Sequence, residues 1–199
     1  MLPFVWSDDC LRHEPEAEVW VGVRTPATEL PARALAIREA LVSAGAREVS
    51  SVTHDDSALL AVHDPALVEF LRTAWDNWAA ASLPSDRVVP YVFARSELTS
   101  GRTPATPTAV WAQPGLFAYD TMTLIGPGTW EAARAAVDVA LTAVDLVANG
   151  ERVAYACCRP PGHHVTRSLY GGSCYLNNTA VAATELLSRL GGLVAVLLR

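Results

Sequence analysis

Val153-Ala154-Tyr155-Ala156-Cys157-Cys158, then Arg159-Pro160-Pro161-Gly162-His163-His164, then a helical stretch from about Thr179 to Leu190 closed by Gly191-Gly192, then Leu193 to Leu198: this last third of the chain decides the fold. The first six residues form an unbroken apolar run of strand length, as in a strand covered on both faces by helices. Leu193 to Leu198 is a second such run. A strand, a helix and a strand in that order demand a right-handed crossover, and therefore a parallel sheet in an α/β fold. The adjacent thiols of Cys157 and Cys158 fall on opposite faces if their run is a strand.

Upstream of that unit, Thr129 is expected to cap a helix from Trp130 to about Ala148, with Glu131 at its positive end and Gly150 as its stop. Phe4 to Trp6 reads as a short strand and residues 7–31 as a loop carrying His13, Glu14, Pro15, Glu16, Glu18 and Pro26. Pro31 opens a helix to about Ala44 with Leu35, Ile37, Leu41 and Val42 on its apolar side and Gly45 after it; a strand near Glu48 to Val52 follows. Val62-His63-Asp64-Pro65 announces another helix, Asp64 accepting from its free N–H groups, that runs through Leu67, Phe70, Leu71, Trp75 and Trp78. From residue 81 to 127, Pro84, Pro90, Pro104, Pro107 and Pro114 interrupt any period, and a loop of such length inside a domain is usually functional. The sequence has no internal repeat and no low-complexity tract.

Composition narrows the function classes. With 199 residues, 51% of them hydrophobic and 18% charged, the chain can bury one substantial core. A net charge of -6, a pI near 5.3 and 15 scattered basic residues argue against a nucleic-acid surface. No apolar run has the length of a membrane span, the N-terminus lacks the pattern of a secretory leader, and no CxxC spacing joins Cys10, Cys157, Cys158 and Cys174. The expectation is a cytoplasmic protein with reduced thiols and no membrane partner.

Ligands of open α/β sheets bind beyond the carboxyl ends of the strands, where Arg159 to His164 lies. Two prolines stiffen the strand exit, and Gly162 is expected to take an unusual backbone angle, so His163 and His164 are presented with little freedom. One neutral imidazole can take a proton from water while a second, protonated, donates to a leaving amine or an oxyanion. Alternatively, the two histidines bond loop carbonyls or ligate a structural metal.

Context favours the catalytic reading. Arg159-Pro160-Pro161-Gly162-His163-His164 is followed by Gly171-Gly172-Ser173-Cys174-Tyr175-Leu176-Asn177-Asn178. Upstream stand Ala61-Val62-His63-Asp64-Pro65, Thr73-Ala74-Trp75-Asp76-Asn77-Trp78 and Pro127-Gly128-Thr129-Trp130-Glu131-Ala132-Ala133. Together these resemble bacterial class II histone deacetylases, above all the acetylpolyamine amidohydrolases, along essentially the whole chain. The resemblance implies the arginase/deacetylase fold, a three-layer α/β/α sandwich with a mainly parallel sheet, and a zinc ion that polarises an acetamide carbonyl and activates water. It makes His163 the general base, His164 the acid or electrostatic partner of the leaving amine, Gly172 a tunnel residue beside the acyl chain, and Cys174 a small side chain on the tunnel floor. Glu18 matches an acidic rim position that receives the cationic part of a polyamine. A small acetylated amine or acetyl-lysine is the implied substrate. A homodimer, with the 81–127 loop closing over a partner's site, is the implied assembly.

The chain departs from the family pattern in three places. The strand starting Val194-Ala195-Val196-Leu197 continues in the family into two zinc ligands, whereas Leu198 and Arg199 stand here and the sequence ends; a further ligand and the oxyanion-binding tyrosine are also absent. No zinc ligand is therefore assigned, and residues 1–199 are expected to be the first part of one incomplete deacetylase domain. Ser173 stands where the family usually places an aromatic ring, and Trp111 near a second acid of the acetylpolyamine hydrolases, which puts polyamine specificity in doubt. Beside the enzyme stands the alternative of a non-catalytic remnant or interaction module with the deacetylase frame.

Overall fold

Alternation along Pro3-Phe4-Val5-Trp6 organises the first core. In the computed structural model, which describes residues 1–190, this segment is β1, the central strand of a three-stranded parallel sheet. The elements in chain order are β1 (Pro3–Trp6), β2 (Ala17–Trp20), β3 (Val23–Pro26), α1 (Pro31–Ser43), β4 (Arg47–Ser50), α2 (Ser57–Val62), α3 (Pro65–Ala80), α4 (Ser96–Thr99), α5 (Pro114–Phe117), α6 (Thr129–Ala148), β5 (Tyr155–Ala156) and α7 (Asn178–Leu190). Short 3-10 turns stand at Asp8–Leu11 and Val110–Ala112. β4 pairs with one edge of β1, placing Val5 opposite Val49, and β5 pairs with the other, placing Val5 opposite Ala156.

Successive side chains of a strand face opposite sides, and both sides of β1 are covered. Phe4 and Trp6 pack with Ala34 and Leu41 of α1, whereas Val5 packs with Ala135, Ala136, Val139 and Ala143 of α6. The result is a three-layer α/β/α sandwich. Cys157 lies with the first group and Cys158 with the second, the opposite-face placement expected of the pair.

A larger core fills the space among α3, α5, α6 and residues 165–181. Phe70 stacks on Phe117 at 4.6 Å and on Tyr170 at 6.0 Å, and Tyr170 stacks on Tyr175 at 6.0 Å. Each aromatic contact of this kind contributes about 0.5–1.5 kcal/mol beyond its buried area. Tyr170 and Tyr175 flank the Gly171–Cys174 turn, so this core fixes one wall of the site.

Several local expectations are corrected. The N-terminal loop contains an antiparallel hairpin, β2 with β3, which the scattered charges and prolines of residues 7–31 concealed. Leu35, Ile37 and Val42 are 44%, 41% and 53% exposed, so of the four residues expected on the apolar side of α1 only Leu41 packs inward, together with Ala34. Asp64 precedes α3 without a side-chain cap, because its carboxylate takes the Arg167 Nε–H at 2.7 Å. Thr129 is the first residue of α6 rather than its cap, which is Gly128 at φ +76°. The strand expected over residues 153–158 is assigned only at Tyr155–Ala156 and is an edge among the described residues; Val153 and Tyr155 are 56% and 41% exposed. The strand expected at Leu193 to Leu198 lies outside the described residues.

Candidate functional site

The loop that leaves β5 is anchored before it reaches its histidines. Cys157 N–H donates to the Val5 carbonyl, and Arg159, 2% exposed, turns its guanidinium into the N-terminal segment. Its Nη1 donates to the Cys10 carbonyl at 2.7 Å; Nη2 donates to the carbonyls of His13 at 2.6 Å and Glu29 at 3.1 Å. Nε lies 2.8 Å from the Glu29 carboxylate, close enough for an ion pair though off the line of a directed hydrogen bond. Burial pushes the Glu29 carboxyl up from its ordinary value, and the Arg159 charge opposes that only in part.

Gly162 is required by close approach. A Cβ there would meet the Leu176 carbonyl oxygen at 2.0 Å and the Asn178 nitrogen at 2.8 Å, because this loop lies directly on the backbone that leads into α7. Its φ is not positive, so the unusual angle expected of it is not the reason. Asn177 locks the same junction: its Nδ2 donates to the Val165 carbonyl and its Oδ1 accepts from Ala180 N–H, both at 2.9 Å, the second as a helix cap. His63, fully buried before α3, accepts the Asn177 N–H on Nε2 at 2.9 Å and points Nδ1 at the Thr166 carbonyl, 3.1 Å away. That pattern fits one neutral tautomer, Nδ1–H, and burial lowers the pKa of this ring.

His163 and His164 emerge side by side, both exposed, with ring centroids 4.2 Å apart and planes tilted by 50°. Partial burial, and secondarily the neighbouring His164, hold the His163 pKa below its ordinary value, so the ring is neutral at neutral pH and able to accept a proton. His164 is held from two sides. Its carbonyl accepts the Tyr119 hydroxyl at 3.2 Å, and its ring rests on Gly172, where a Cβ would come within 2.8 Å of Cδ2. Beneath them Cys174 is fully buried, and burial pushes its thiol up to about 11. Such a thiol is protonated at neutral pH and is no nucleophile.

Gly171 to Cys174 is a tight two-residue turn. Gly171 and Cys174 exchange backbone hydrogen bonds at 3.1 and 3.2 Å, and the residues between them, Gly172 and Ser173, have φ of +63° and +60°. Positive φ at both central positions is what a type I′ turn requires. The turn is gripped from the end of the long loop. The Asp120 carboxylate accepts Gly172 N–H at 2.6 Å, and the Thr123 hydroxyl accepts Ser173 N–H at 2.8 Å.

His163, His164, Gly172, Ser173 and Cys174 thus converge at the carboxyl end of β5. Glu18 lies in β2, 7% exposed, and its Oε1 accepts both the N–H and the hydroxyl of Thr28, at 3.3 and 3.2 Å. Sequence reasoning did not single out Tyr119, Asp120, Thr123, Arg159, Glu29 or His63 as members of this site. Arg159 lies inside the quoted motif, so its type and place were a usable signal; Asp120 sits in an aperiodic loop that offers none. Among the described residues no group of three or more His, Cys, Asp or Glu side chains stands close enough to hold a metal.

Fold and site together define an α/β protein with an imidazole pair at the carboxyl end of a parallel strand. Comparison with known proteins makes this specific. The histone deacetylase domain family matches residues 27–197, and the chain belongs to that family. It is 36% identical over 194 residues to the acetylpolyamine amidohydrolase of Mycoplana ramosa, an alignment covering 97% of this chain and 55% of that protein. Acetylpolyamine amidohydrolase 1 of Pseudomonas aeruginosa matches at 36% over the same shares. The crystal structure of the acetylpolyamine aminohydrolase of Burkholderia pseudomallei superimposes with a TM-score of 0.86 at 31% identity, covering 95% of this chain and 54% of that one. The chain spans about half the length of the curated relatives it matches.

Proposed function

We propose that this chain carries the histidine half of a zinc-dependent deacetylase acting on a small acetylated amine, such as an acetylpolyamine or acetyl-lysine. The observation that carries the reading is the His163–His164 pair, 4.2 Å apart and presented by a loop that Gly162, Asn177 and Arg159 fix in place. In this reading His163 takes the proton of the attacking water and His164 serves the departing amine. Ser173 and Gly172 border the acyl chain, over a floor made by Cys174. The relatives are acetylpolyamine amidohydrolases, which supports this substrate class. Residues 1–199 are taken as one incomplete domain.

The described residues do not fit a zinc site, having no suitable ligand cluster. At the rim, Glu18 would present a carboxylate that Thr28 holds through Oε1. The same reading expects a homodimer through the 81–127 loop, where Tyr91 and Trp111 are 82% and 48% exposed beside an apolar groove of about 440 Å³.

The test is zinc content and release of acetate from acetylputrescine and acetyl-lysine peptides, using residues 1–199 beside a version extended through the following reading frame. Turnover by the extended version alone supports the enzyme reading, with the histidine half supplied by this chain. Turnover by neither, with both folded, favours the non-catalytic module.

A further inference from the structure

We infer that Asp120, acting with Thr123, is a positioning residue for His164. The inference rests on the proposed role of the histidine pair but not on any measured turnover. Asp120 accepts four hydrogen bonds. Oδ1 takes the N–H groups of Met122 at 3.1 Å and Thr123 at 2.9 Å, and Oδ2 takes the Thr123 hydroxyl at 3.1 Å and Gly172 N–H at 2.6 Å. The first three stay within the loop and close a local turn. The fourth reaches outward, across 52 residues of sequence, to the turn beneath His164.

The Thr123 side chain, 1% exposed, relays the same grip. Its hydroxyl donates to Asp120 and, through a lone pair, accepts Ser173 N–H. Both central N–H groups of the left-handed turn are thereby held, by a carboxylate oxygen at Gly172 and a hydroxyl at Ser173. This matters because Ser173 carries a side chain at φ +60°, a conformation unfavourable for an L-residue that needs support from its surroundings. It also matters for the ring above. Gly172 is the surface on which the His164 imidazole lies, so the height of that surface sets the ring's position. Tyr119, the neighbour of Asp120, fixes the carbonyl of the same histidine. One dipeptide at the end of the long loop therefore controls both the backbone and the ring floor of His164.

The test uses the 199-residue chain with 13C-labelled histidine rings. The ring signals of His164 are assigned by their loss in His164→Gln. Asp120→Asn keeps one acceptor oxygen for the local turn but turns an NH2 donor toward Gly172 N–H. Thr123→Val removes the relay, and Thr123→Ser restores it. The expected result is that His164 ring signals shift in Asp120→Asn and Thr123→Val by more than those of His13, His54 and His63, with unfolding still cooperative, and return in Thr123→Ser. Unmoved His164 signals in a folded Asp120→Asn overturn the inference. An unfolded Asp120→Asn combined with unmoved His164 signals in Thr123→Val overturns it as well, since Asp120 would then be structural only. Acetate release by the extended protein is read separately. Shifted His164 signals with no hydrolysis by the extended protein would discard the deacetylase reading while leaving the positioning role intact.

Discussion

The guanidinium of Arg159 donates to the backbone carbonyl of His13 at 2.6 Å, joining positions 146 residues apart. The same group serves the carbonyls of Cys10 and Glu29 and faces the Glu29 carboxylate, all in a region closed to water. Removing one partner of a buried charge pair leaves the other uncompensated and typically costs about 3–5 kcal/mol. Arg159→Met is therefore expected to lower stability by that order in urea unfolding. Arg159→Lys should recover only a small part, because a point ammonium cannot span acceptors that a planar fork reaches together. A lysine variant as stable as the parent would show that charge alone, and not the fork geometry, holds the N-terminal segment.

His13 supplies a pH signature of the same region. It is 2% exposed, with Nδ1 3.0 Å from the Thr129 hydroxyl, and burial, followed by the charges of Arg159 and Arg87, lowers its pKa to about 3. A depressed folded-state value means that the unfolded chain binds the proton more readily. The contribution of His13 to stability is thus complete above its unfolded value of 6.5 and is lost as pH falls from there toward about 3. Each pH unit within that window removes at most about 1.4 kcal/mol. Unfolding free energies measured across it should fall less steeply in His13→Gln than in the parent; equal slopes would mean that another group drives the acid transition.

The His163–His164 pair has a signature of its own. His163 lies below its ordinary value of 6.5 through partial burial and the adjacent His164. With His164→Gln the second cause disappears, so the His163 titration followed by ring NMR should move up toward 6.5. In an active extended protein, the rate should fall on the acid side as His163 gains its proton, with the inflection below 6.5. A His163 midpoint that stays in place in His164→Gln would leave burial as the whole cause.

How far the sequence exposed this arrangement can be read from particular elements. The apolar run ending at Cys158, the prolines after it and the His-His pair announced a strand, a stiff loop and a candidate site, because each rests on local chemistry. α3 and α6 were visible in their 3.6-residue period, and β1 in its position. The β2–β3 hairpin was not, since its strands are short and half exposed, and the true buried stripe of α1 was hidden by exposed leucine and isoleucine. The Asp120 and Arg159 contacts were beyond reach for a different reason: they join segments 52 and 146 residues apart, and no period or propensity encodes which distant N–H or carbonyl a side chain will meet. Asp64 shows the same limit in reverse. Its sequence context reads as a helix cap, yet a distant arginine, Arg167, takes its carboxylate.

Gly172 joins the strain of the turn to the position of the ring, and its substitution separates them. At φ +63°, an alanine carries the left-handed penalty of about 1–2 kcal/mol. Its Cβ would also lie 2.8 Å from Cδ2 and 2.9 Å from Cγ of His164, so the imidazole must move. Gly172→Ala is expected to lower the unfolding midpoint and to shift the His164 ring signals together. Ser173→Gly is the matched control. It relieves the same backbone penalty at φ +60° but adds about 0.5–1 kcal/mol of unfolded-state freedom, so its net effect on stability should be small and the His164 signals should stay in place. If Gly172→Ala destabilises without moving those signals, the turn matters for folding alone. If it moves them, Gly172 is the floor on which the imidazole of His164 is set.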